Sequence, residues 1–476
     1  MSCIAGIKEN VNNNKLRHVS AFFFLSIPVL ILSACGGGSD TGSASPVVSA
    51  TLLLSVHEAQ PQPNADGTSL TFSTRGSIDT GNPFFTPLGN GRACVTCHQE
   101  SEGWSVTPDG LAARFAQSNG SDPIFRLVDG ATSPNAASAT LEQKRLAYTM
   151  LLTKGLIRVG LPVPATAEFT LIDVDDPYGY ASAKEMSLFR RPLQTANLKF
   201  ESTLMWDGRE TTPDANSTRC IVGALPAACF SLLDVDLSRQ ANDAVRGHAE
   251  AAADLNAADQ RAIVDFQNSL FTAQIFSNEA GNLNDGGALG GPSELAKNNF
   301  NFGIIDLGRD AMTLFAAWGA PVNQPTAKDV ARASIRRGEV IFNTRTINLS
   351  AVKQGTCANC HSTPNSGTDA LGRLFNTGVS DGALRTPDMP LYTLKNKQTG
   401  EVVTSTDPGA GLISGKWTDI GRFKATSLRA LAARAPYFHN GAVKELSDVV
   451  KFYDKRFQIG FAPQEIADLT AFLKAL

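Results

Sequence analysis

Two five-residue stretches organise this chain: Cys94-Val95-Thr96-Cys97-His98 in the first half and Cys357-Ala358-Asn359-Cys360-His361 in the second. Two thiols separated by two residues can add to the two vinyl groups of one porphyrin, and the histidine that follows can ligate the iron. Zinc knuckles and redox dithiols also use Cys-x-x-Cys, but neither stretch has a second Cys/His pair at finger spacing nearby. The pattern therefore predicts two c-type haems, with His98 and His361 as proximal iron ligands.

Length and charge narrow the class of protein. With 476 residues, 42% of them hydrophobic, the chain can bury two cores, and one haem per domain is the economical arrangement. The formal charge of -3 is close to balance, and no Lys/Arg tract is present. Nucleic acid is therefore not expected as a partner.

The beginning of the chain has the composition of an export signal. A few basic residues precede an apolar run from Ala21 to Leu32, which is too short to span a bilayer. Residues 1–34 are therefore predicted to be a signal peptide. Leu32-Ser33-Ala34-Cys35 resembles a bacterial lipobox, which implies cleavage before Cys35 and lipid on its sulfur. An ordinary signal peptide with an incidental cysteine is the alternative.

The segment after Cys35 is predicted to be a tether. Gly36 directly after the cysteine looks like the outer-membrane form of the signal, so we expect a periplasmic protein that its lipid holds to the outer membrane. Residues 35–70 combine a Ser/Gly-rich tether with an irregular arm. In such an oxidising compartment Cys220 and Cys229 are expected to form a disulfide, with two unrelated thiols as the alternative.

The remaining sequence is interpreted as a weak internal repeat with mainly helical segments. Each half has a haem motif, then an apolar residue with Trp or His and a turn pair, in Met205-Trp206-Asp207-Gly208 and Phe438-His439-Asn440-Gly441. Each half then ends in a helix. Helix starts are predicted at Asn256, at Thr326 and at Pro463. We therefore predict a mainly α fold of two cytochrome c-like haem domains with long loops, over 71–325 and 326–476.

These motifs resemble the bacterial di-haem cytochrome c peroxidase family, including its MauG branch. The resemblance runs from about Gly91 to Leu476 and is most specific at Trp206-Asp207-Gly208-Arg209 and at 435–441, Ala-Pro-Tyr-Phe-His-Asn-Gly. It implies an oxidoreductase that reduces hydrogen peroxide at the N-terminal haem. Electrons would come through Trp206 from the C-terminal haem. A small redox protein or a quinol would donate electrons to that haem. A plain core aromatic is the alternative for Trp206.

The family also implies residues on the distal side of the N-terminal haem. It has a glutamine and, ten residues on, a glutamate, and Gln240 and Glu250 keep that separation here. A carboxylate can move the proton of peroxide between its oxygens, and an amide can stabilise the developing charge. His248 is an alternative for this work or an alternative iron ligand. A solvated helix face is the alternative for all three residues.

Two further positions depart from typical peroxidases towards the MauG branch. The family's sixth histidine on the N-terminal haem corresponds here to Arg114, which implies an iron open to peroxide without prior reduction. The family's methionine on the C-terminal haem corresponds to Tyr453, and a phenolate lowers the potential of iron where a thioether raises it. Met389 is the alternative ligand, with Tyr453 as a packing residue.

The resemblance leaves calcium and the exact activity open. Arg191 and Arg434 stand near the places of the family's calcium ligands, and two guanidinium groups would oppose a cation. This argues against calcium. Besides a peroxidase, the sequence fits a MauG-like oxidase that acts on a protein or organic substrate, or a non-catalytic electron-transfer cytochrome.

Overall fold

The computed structural model describes residues 56–212, 232–300, 310–350 and 353–476. The predicted signal peptide, Cys35, most of the predicted tether, and the pair Cys220 and Cys229 lie outside these residues. Among the described residues, no helix is both long and apolar enough to cross a membrane.

Helices occur in both halves of the described chain. In chain order they are α1 Pro108–Ser118, α2 Leu141–Ala147, α3 Thr149–Lys154, α4 Leu233–Gly247, α5 Ala257–Ser269, α6 Pro292–Ala296, α7 Ala327–Thr344, α8 Cys357–Cys360, α9 Gly411–Ser414, α10 Leu446–Phe457 and α11 Pro463–Lys474.

Short antiparallel strands connect these helices. They are β1 Val56–His57, β2 Gln62–Asn64, β3 Gly67–Ser73, β4 Ile78–Asp79, β5 Ile157–Leu161, β6 Phe169–Asp175, β7 Met186–Arg190, β8 Leu270–Ser277, β9 Gly281–Asn282, β10 Ile347–Ser350, β11 Lys353–Gly355, β12 Leu374–Phe375, β13 Leu391–Asn396, β14 Val402–Ser405 and β15 Phe423–Lys424. In the described part the larger sheets have the orders β2-β3-β8-β9 and β14-β13-β6.

The predicted helix starts are confirmed, because their signals are local. The Thr326 side chain accepts a hydrogen bond from the Asp329 N–H, and the Asp329 carboxylate accepts one from the Thr326 N–H. This capping box satisfies two backbone donors at the start of α7. The Asn256 side chain caps α5 through the Asp259 N–H, and Pro463 occupies the first turn of α11.

Helices α7 and α11 pack against each other and form the main core of the C-terminal half. A side chain at Gly338 would come within 2.0 Å of the Asp468 carbonyl oxygen, so only glycine permits this approach. Next to this crossing, the rings of Phe342 and Phe472 lie 5.6 Å apart and are buried. Burying one such ring stabilises the fold by about 2 kcal/mol.

The prediction of a mainly α protein is corrected, since the structure is mixed, with 35% helix and 18% strand. The strands pair across long stretches of sequence: Leu171 in β6 lies opposite Leu394 in β13, and Phe72 in β3 lies opposite Phe271 in β8. A strand of a few residues has little periodicity, and its partner is a matter of tertiary structure. The sequence analysis therefore underestimated the sheets.

The position of the domain boundary stays a prediction. Contacts group residues 54–476 into one unit, to which all the described residues belong. Helix α7 begins next to the predicted boundary, and β6 and β13 join segments from either side of it. The two haem motifs thus share a continuous framework.

Candidate functional site

The first motif forms the wall of a cavity. Cys94–Thr96 is one 3₁₀ turn, in which the Thr96 hydroxyl accepts a hydrogen bond of 2.9 Å from the Ala93 N–H. Cys94, Cys97 and His98 all line the cavity, and both thiols are free. We call this space the first cavity.

The second motif is built in the same way. Helix α8 holds Cys357 and Cys360, and the Asn359 side chain accepts a hydrogen bond of 2.6 Å from the Thr356 N–H. Both thiols are free and line a second cavity together with His361. Thr356 thus closes the turn as Ala93 does in the first motif.

The two histidines share one hydrogen-bonding pattern. His98 Nδ1 lies 3.1 Å from the Trp104 carbonyl oxygen, and His361 Nδ1 lies 2.5 Å from the Gly367 carbonyl oxygen, six residues on in both cases. A carbonyl only accepts, so Nδ1 carries the proton and the Nε2 lone pair is free for a metal. A phenylalanine ring packs near each imidazole, Phe84 at 6.4 Å from His98 and Phe342 at 6.1 Å from His361.

The residues present fit a covalently attached c-type haem in each cavity. Each cavity offers two free thiols at the right spacing and a neutral imidazole with an available Nε2. Burial lowers the pKa of His98 to about 4, against the opposing hydrogen bond to Trp104. Burial likewise lowers the pKa of His361. Both histidines are therefore neutral near pH 7, the form that ligates iron.

A histidine and an aspartate lie together in the wall of the first cavity. His248 follows α4, and its Nδ1 lies 2.5 Å from Asp129 Oδ2. Arg92 donates to the other oxygen of Asp129 at 2.6 Å and to the His248 carbonyl at 3.1 Å. Burial alone would raise the pKa of Asp129, but the hydrogen bond and charge of His248 and the charge of Arg92 hold it below its usual value. The pair is thus an imidazole oriented by a carboxylate.

Gln240 and Glu250, which the family spacing placed together on the distal side of the N-terminal haem, lie in different surroundings. Gln240 is half-buried on α4 and lines the first cavity. Glu250 is exposed, has a positive φ of 51°, and is not among the lining residues of that cavity. Its carboxylate instead accepts a hydrogen bond of 2.8 Å from Asn90. A proton-transfer role for Glu250 stays a prediction, and the geometry favours His248.

Arg114 occupies no position in the first cavity. Its guanidinium pairs with Asp122 at 2.6 Å and donates to the Thr96 carbonyl oxygen at 2.8 Å. It therefore supports the motif from the side of α1. The residue at the family's sixth-ligand position is thus engaged in local structure.

Trp206 lies where the two cavities approach each other. It lines both of them, together with Arg191, Pro192, Leu193 and Lys424. Its Nε1 donates to the Arg191 carbonyl oxygen at 2.8 Å, and its own carbonyl accepts from the Lys424 N–H at 2.9 Å. The His439 ring lies edge-on to the indole at 6.1 Å and stacks on Phe423 at 4.0 Å. An aromatic group in this position connects the two sites.

Buried charges hold the Trp206 loop in place. Arg190 donates to Asp207 at 2.5 Å and to Asp407 at 2.7 Å, and all three side chains are buried. Burial alone would raise the pKa of Asp207, but the charges of Arg190 and Arg209 lower it to about 2. Arg190 therefore links the Asp207-Gly208 turn after Trp206 to Asp407 in the second half.

Of the two candidates for the C-terminal iron, only Tyr453 lines the second cavity. Its ring packs near Phe438 and Phe457, each at 5.9 Å. Burial, with a smaller contribution from the Cys360 and Cys357 thiols, raises the pKa of the Tyr453 hydroxyl. Met389 is buried elsewhere, against Met150, Leu156 and Phe189. The role of Tyr453 as an iron ligand stays a prediction.

Sequence reasoning missed Asp129 and Arg92. They lie 37 residues apart, and no motif or periodicity marks either of them. An aspartate before a glycine ordinarily predicts a turn. Their role emerges only because the fold brings them to the carbonyl and side chain of His248.

Parts of the chain are similar in sequence to known peroxidases. No family model matches the chain. The cytochrome-c peroxidase IdrP2 of Denitromonas iodatirespirans is 34% identical over 136 residues, which are 26% of this chain and 36% of that protein. The cytochrome c551 peroxidase of Pseudomonas aeruginosa is 31% identical over 130 residues, 27% of this chain and 32% of that protein. The chain thus spans about a third of the length of these relatives.

A solved structure also aligns with most of the chain. It is that of a MauG-like protein associated with microbial copper homeostasis, with 16% identity, a TM-score of 0.37, and coverage of 88% of this chain and 93% of its own. By sequence, this chain is similar over 26–31% of its length to proteins that are named cytochrome-c or cytochrome c551 peroxidases.

Proposed function

We propose that the chain is a di-haem c-type peroxidase that reduces hydrogen peroxide in the first cavity. Cys94 and Cys97 would tether one haem there, and Cys357 and Cys360 would tether the second. His98 and His361 would be the proximal ligands. When bound, haem iron supplies the electron chemistry that reduces peroxide.

The observation that carries this proposal is the His248–Asp129 pair in the wall of the cavity that also contains His98. Reduction of peroxide requires a proton to leave one oxygen and a proton to reach the other. His248 would accept and return this proton, while Asp129 holds the imidazole at Nδ1 and leaves Nε2 for the exchange. Arg92 would hold Asp129 in place, and the Gln240 amide would stabilise charge on the departing oxygen.

Electrons would reach the first cavity from the second through Trp206. The indole lines both cavities and is fixed at its Nε1 and at its backbone carbonyl. A small redox protein or a quinol would donate electrons to the second haem. We further propose that the mature protein is periplasmic and that lipid on Cys35 holds it to the outer membrane.

A MauG-like oxidase acting on a protein or organic substrate is the second candidate. It is favoured by Tyr453 in the wall of the second cavity, because a phenolate ligand stabilises high oxidation states of iron. In an electron-transfer cytochrome without a substrate, His248 would instead be a second protein ligand of the first iron. Both enzyme candidates require a first iron that peroxide can reach, whereas the electron-transfer cytochrome does not.

One experiment separates them. The oxidised holoprotein is mixed with one equivalent of hydrogen peroxide, and the Soret band is followed by stopped flow. A rapid spectral change that a reduced small cytochrome reverses is expected for the peroxidase. A long-lived change that small donors do not reverse would favour the oxidase, and no change, with or without prior reduction, would favour the carrier and contradict the proposal. The pyridine haemochrome assay should give two haems per chain.

A further inference from the structure

A buried guanidinium next to Trp206 forms no ion pair with a carboxylate among the described residues. The Arg191 side chain is 5% exposed, and its hydrogen bonds all go to main-chain carbonyl oxygens. Nη2 donates to Val106 at 2.7 Å and to Arg434 at 3.1 Å, and Nη1 donates to Lys154 at 3.1 Å. A buried charge ordinarily requires an opposite charge or a complete set of dipoles. Here three carbonyls converge on it much as oxygen ligands surround a metal cation.

The main chain of the same residue is fixed to the relay. The Arg191 N–H donates to the His439 carbonyl oxygen at 2.7 Å, and the Arg191 carbonyl accepts from Trp206 Nε1 at 2.8 Å. The side chain therefore ties segments near Val106 and Lys154 to Arg434 of the other half. Because the Trp206 indole donates to the Arg191 carbonyl oxygen, fixing Arg191 also restricts the position of the indole.

The surroundings are shaped for a permanent cation. Gly155 has a φ of 64°, and a side chain there would come within 2.6 Å of Arg191 Nη1. Burial, with a contribution from the Arg434 charge and against the charge of Glu102, lowers the pKa of Arg191 to about 9. The guanidinium is therefore still charged near pH 7. Among the described residues, no group of three or more His, Cys, Asp or Glu side chains could hold a metal ion.

We propose that Arg191 is a positioning residue for Trp206, whose guanidinium acts as a built-in cation that gathers carbonyls from both halves and fixes the indole between the cavities without a metal ion. The proposal deepens the proposed function, because it rests on Trp206 as the relay.

The first test replaces the charge but keeps the volume, in Arg191→Met. The matched control is Arg429→Met, since Arg429 is also fully buried but donates only to Gly291, at 3.4 Å, among the described residues. The readouts on the holoprotein are the ultraviolet resonance Raman band of the Trp206 indole N–H, taken as a difference against Trp206→Phe, and the rate of electron transfer between the haems. Arg191→Met should shift the band and slow the transfer roughly tenfold to a hundredfold, the scale expected of small misplacements.

Two results would overturn the proposal at this stage. One is an unshifted indole band in Arg191→Met, and the other is an equal shift in Arg429→Met, which would make the effect a general loss of packing. If Trp206→Phe itself does not slow electron transfer, the relay in the proposed function fails. The Raman band would still decide whether Arg191 positions the indole.

The second test is chemical rescue. Arg191→Ala leaves the three carbonyls around a small space, and millimolar ethylguanidinium should restore the indole band and the transfer rate, while urea at the same concentration should not. Rescue by urea, or no rescue by ethylguanidinium, would contradict the built-in cation. If Arg191→Ala does not fold, Arg191→Lys is used instead and should retain more of the wild-type band than Arg191→Met. EGTA should leave the wild-type protein unchanged, and a loss of rate on chelation would overturn the metal-free assignment.

Discussion

The His248 imidazole and the Asp129 carboxylate are joined by a 2.5 Å contact in the wall of the first cavity, although 119 residues separate them in sequence. Arg92 closes this arrangement by donating to both residues. The group that is best placed for proton transfer is therefore an oriented histidine, and Glu250 lies outside the lining.

Replacing His248 with Gln should slow the reaction of the holoprotein with peroxide by roughly a hundredfold to ten-thousandfold, because it removes the proton acceptor while keeping a polar side chain. Asp129→Asn should slow it as well, since the amide no longer selects the Nδ1–H tautomer. Stopped-flow Soret kinetics provide the measurement.

Glu250→Gln is the paired variant for this prediction. Like Asp129→Asn, it converts a carboxylate into an amide, and it does so two residues from His248 at an exposed side chain. Its peroxide kinetics should resemble those of the wild type. A severe loss in Glu250→Gln with normal turnover in His248→Gln would return the role to the glutamate that the family spacing indicates.

Trp206→Phe should leave the haem content and the peroxide reaction of the first site intact but slow the delivery of electrons from the second. The smaller ring cannot donate to the Arg191 carbonyl oxygen, and it fills less of the space between the cavities. The rate is measured after one-electron reduction by a laser-flash donor. Trp417→Phe is the control, because Trp417 packs near Phe169 and lines neither cavity. Equal rates in the two variants would exclude the relay.

Tyr453→Phe should change the electron paramagnetic resonance spectrum of the second haem and raise its potential, because it removes the proposed phenolate but keeps the ring between Phe438 and Phe457. Met389→Leu should leave both unchanged, since Met389 packs against Met150 and Phe189. The opposite pattern would make methionine the ligand.

The Arg190–Asp207 pair predicts an acid-sensitive contribution to stability. The pKa of Asp207 lies at about 2, against an ordinary value of 3.8, so its ionised form favours the folded state. The contribution, on the order of 2 kcal/mol, is complete well above pH 4 and is lost as the pH falls towards 2. The difference in Tm between the wild type and Asp207→Asn should therefore be largest near pH 6 and vanish near pH 2. A difference independent of pH would show that packing, not charge, is responsible.

Local chemistry made part of this protein readable from its sequence. The two Cys-x-x-Cys-His stretches place their own thiols and imidazoles within one turn, and the caps at Asn256 and Thr326 act on N–H groups three residues away. Trp206 was found through its Trp-Asp-Gly-Arg motif, and Tyr453 through its spacing from His439. Trp206 lines both cavities, and Tyr453 lines the second.

Tertiary structure decided what depends on distant segments. Asp129 meets His248, Arg191 meets Arg434, and β6 meets β13 only when the chain has folded, and no pattern of residues encodes those pairings. Glu250 and Met389 are the converse case, because the sequence suggested them for the two sites but neither lines the cavity concerned. A carboxylate suits proton transfer, and a thioether suits iron ligation. However, the backbone is left-handed at Glu250, whose side chain does not line the first cavity, and Met389 is buried in a separate apolar cluster. Ligand chemistry is a property of side chains, whereas which side chains share a cavity is decided by long-range packing.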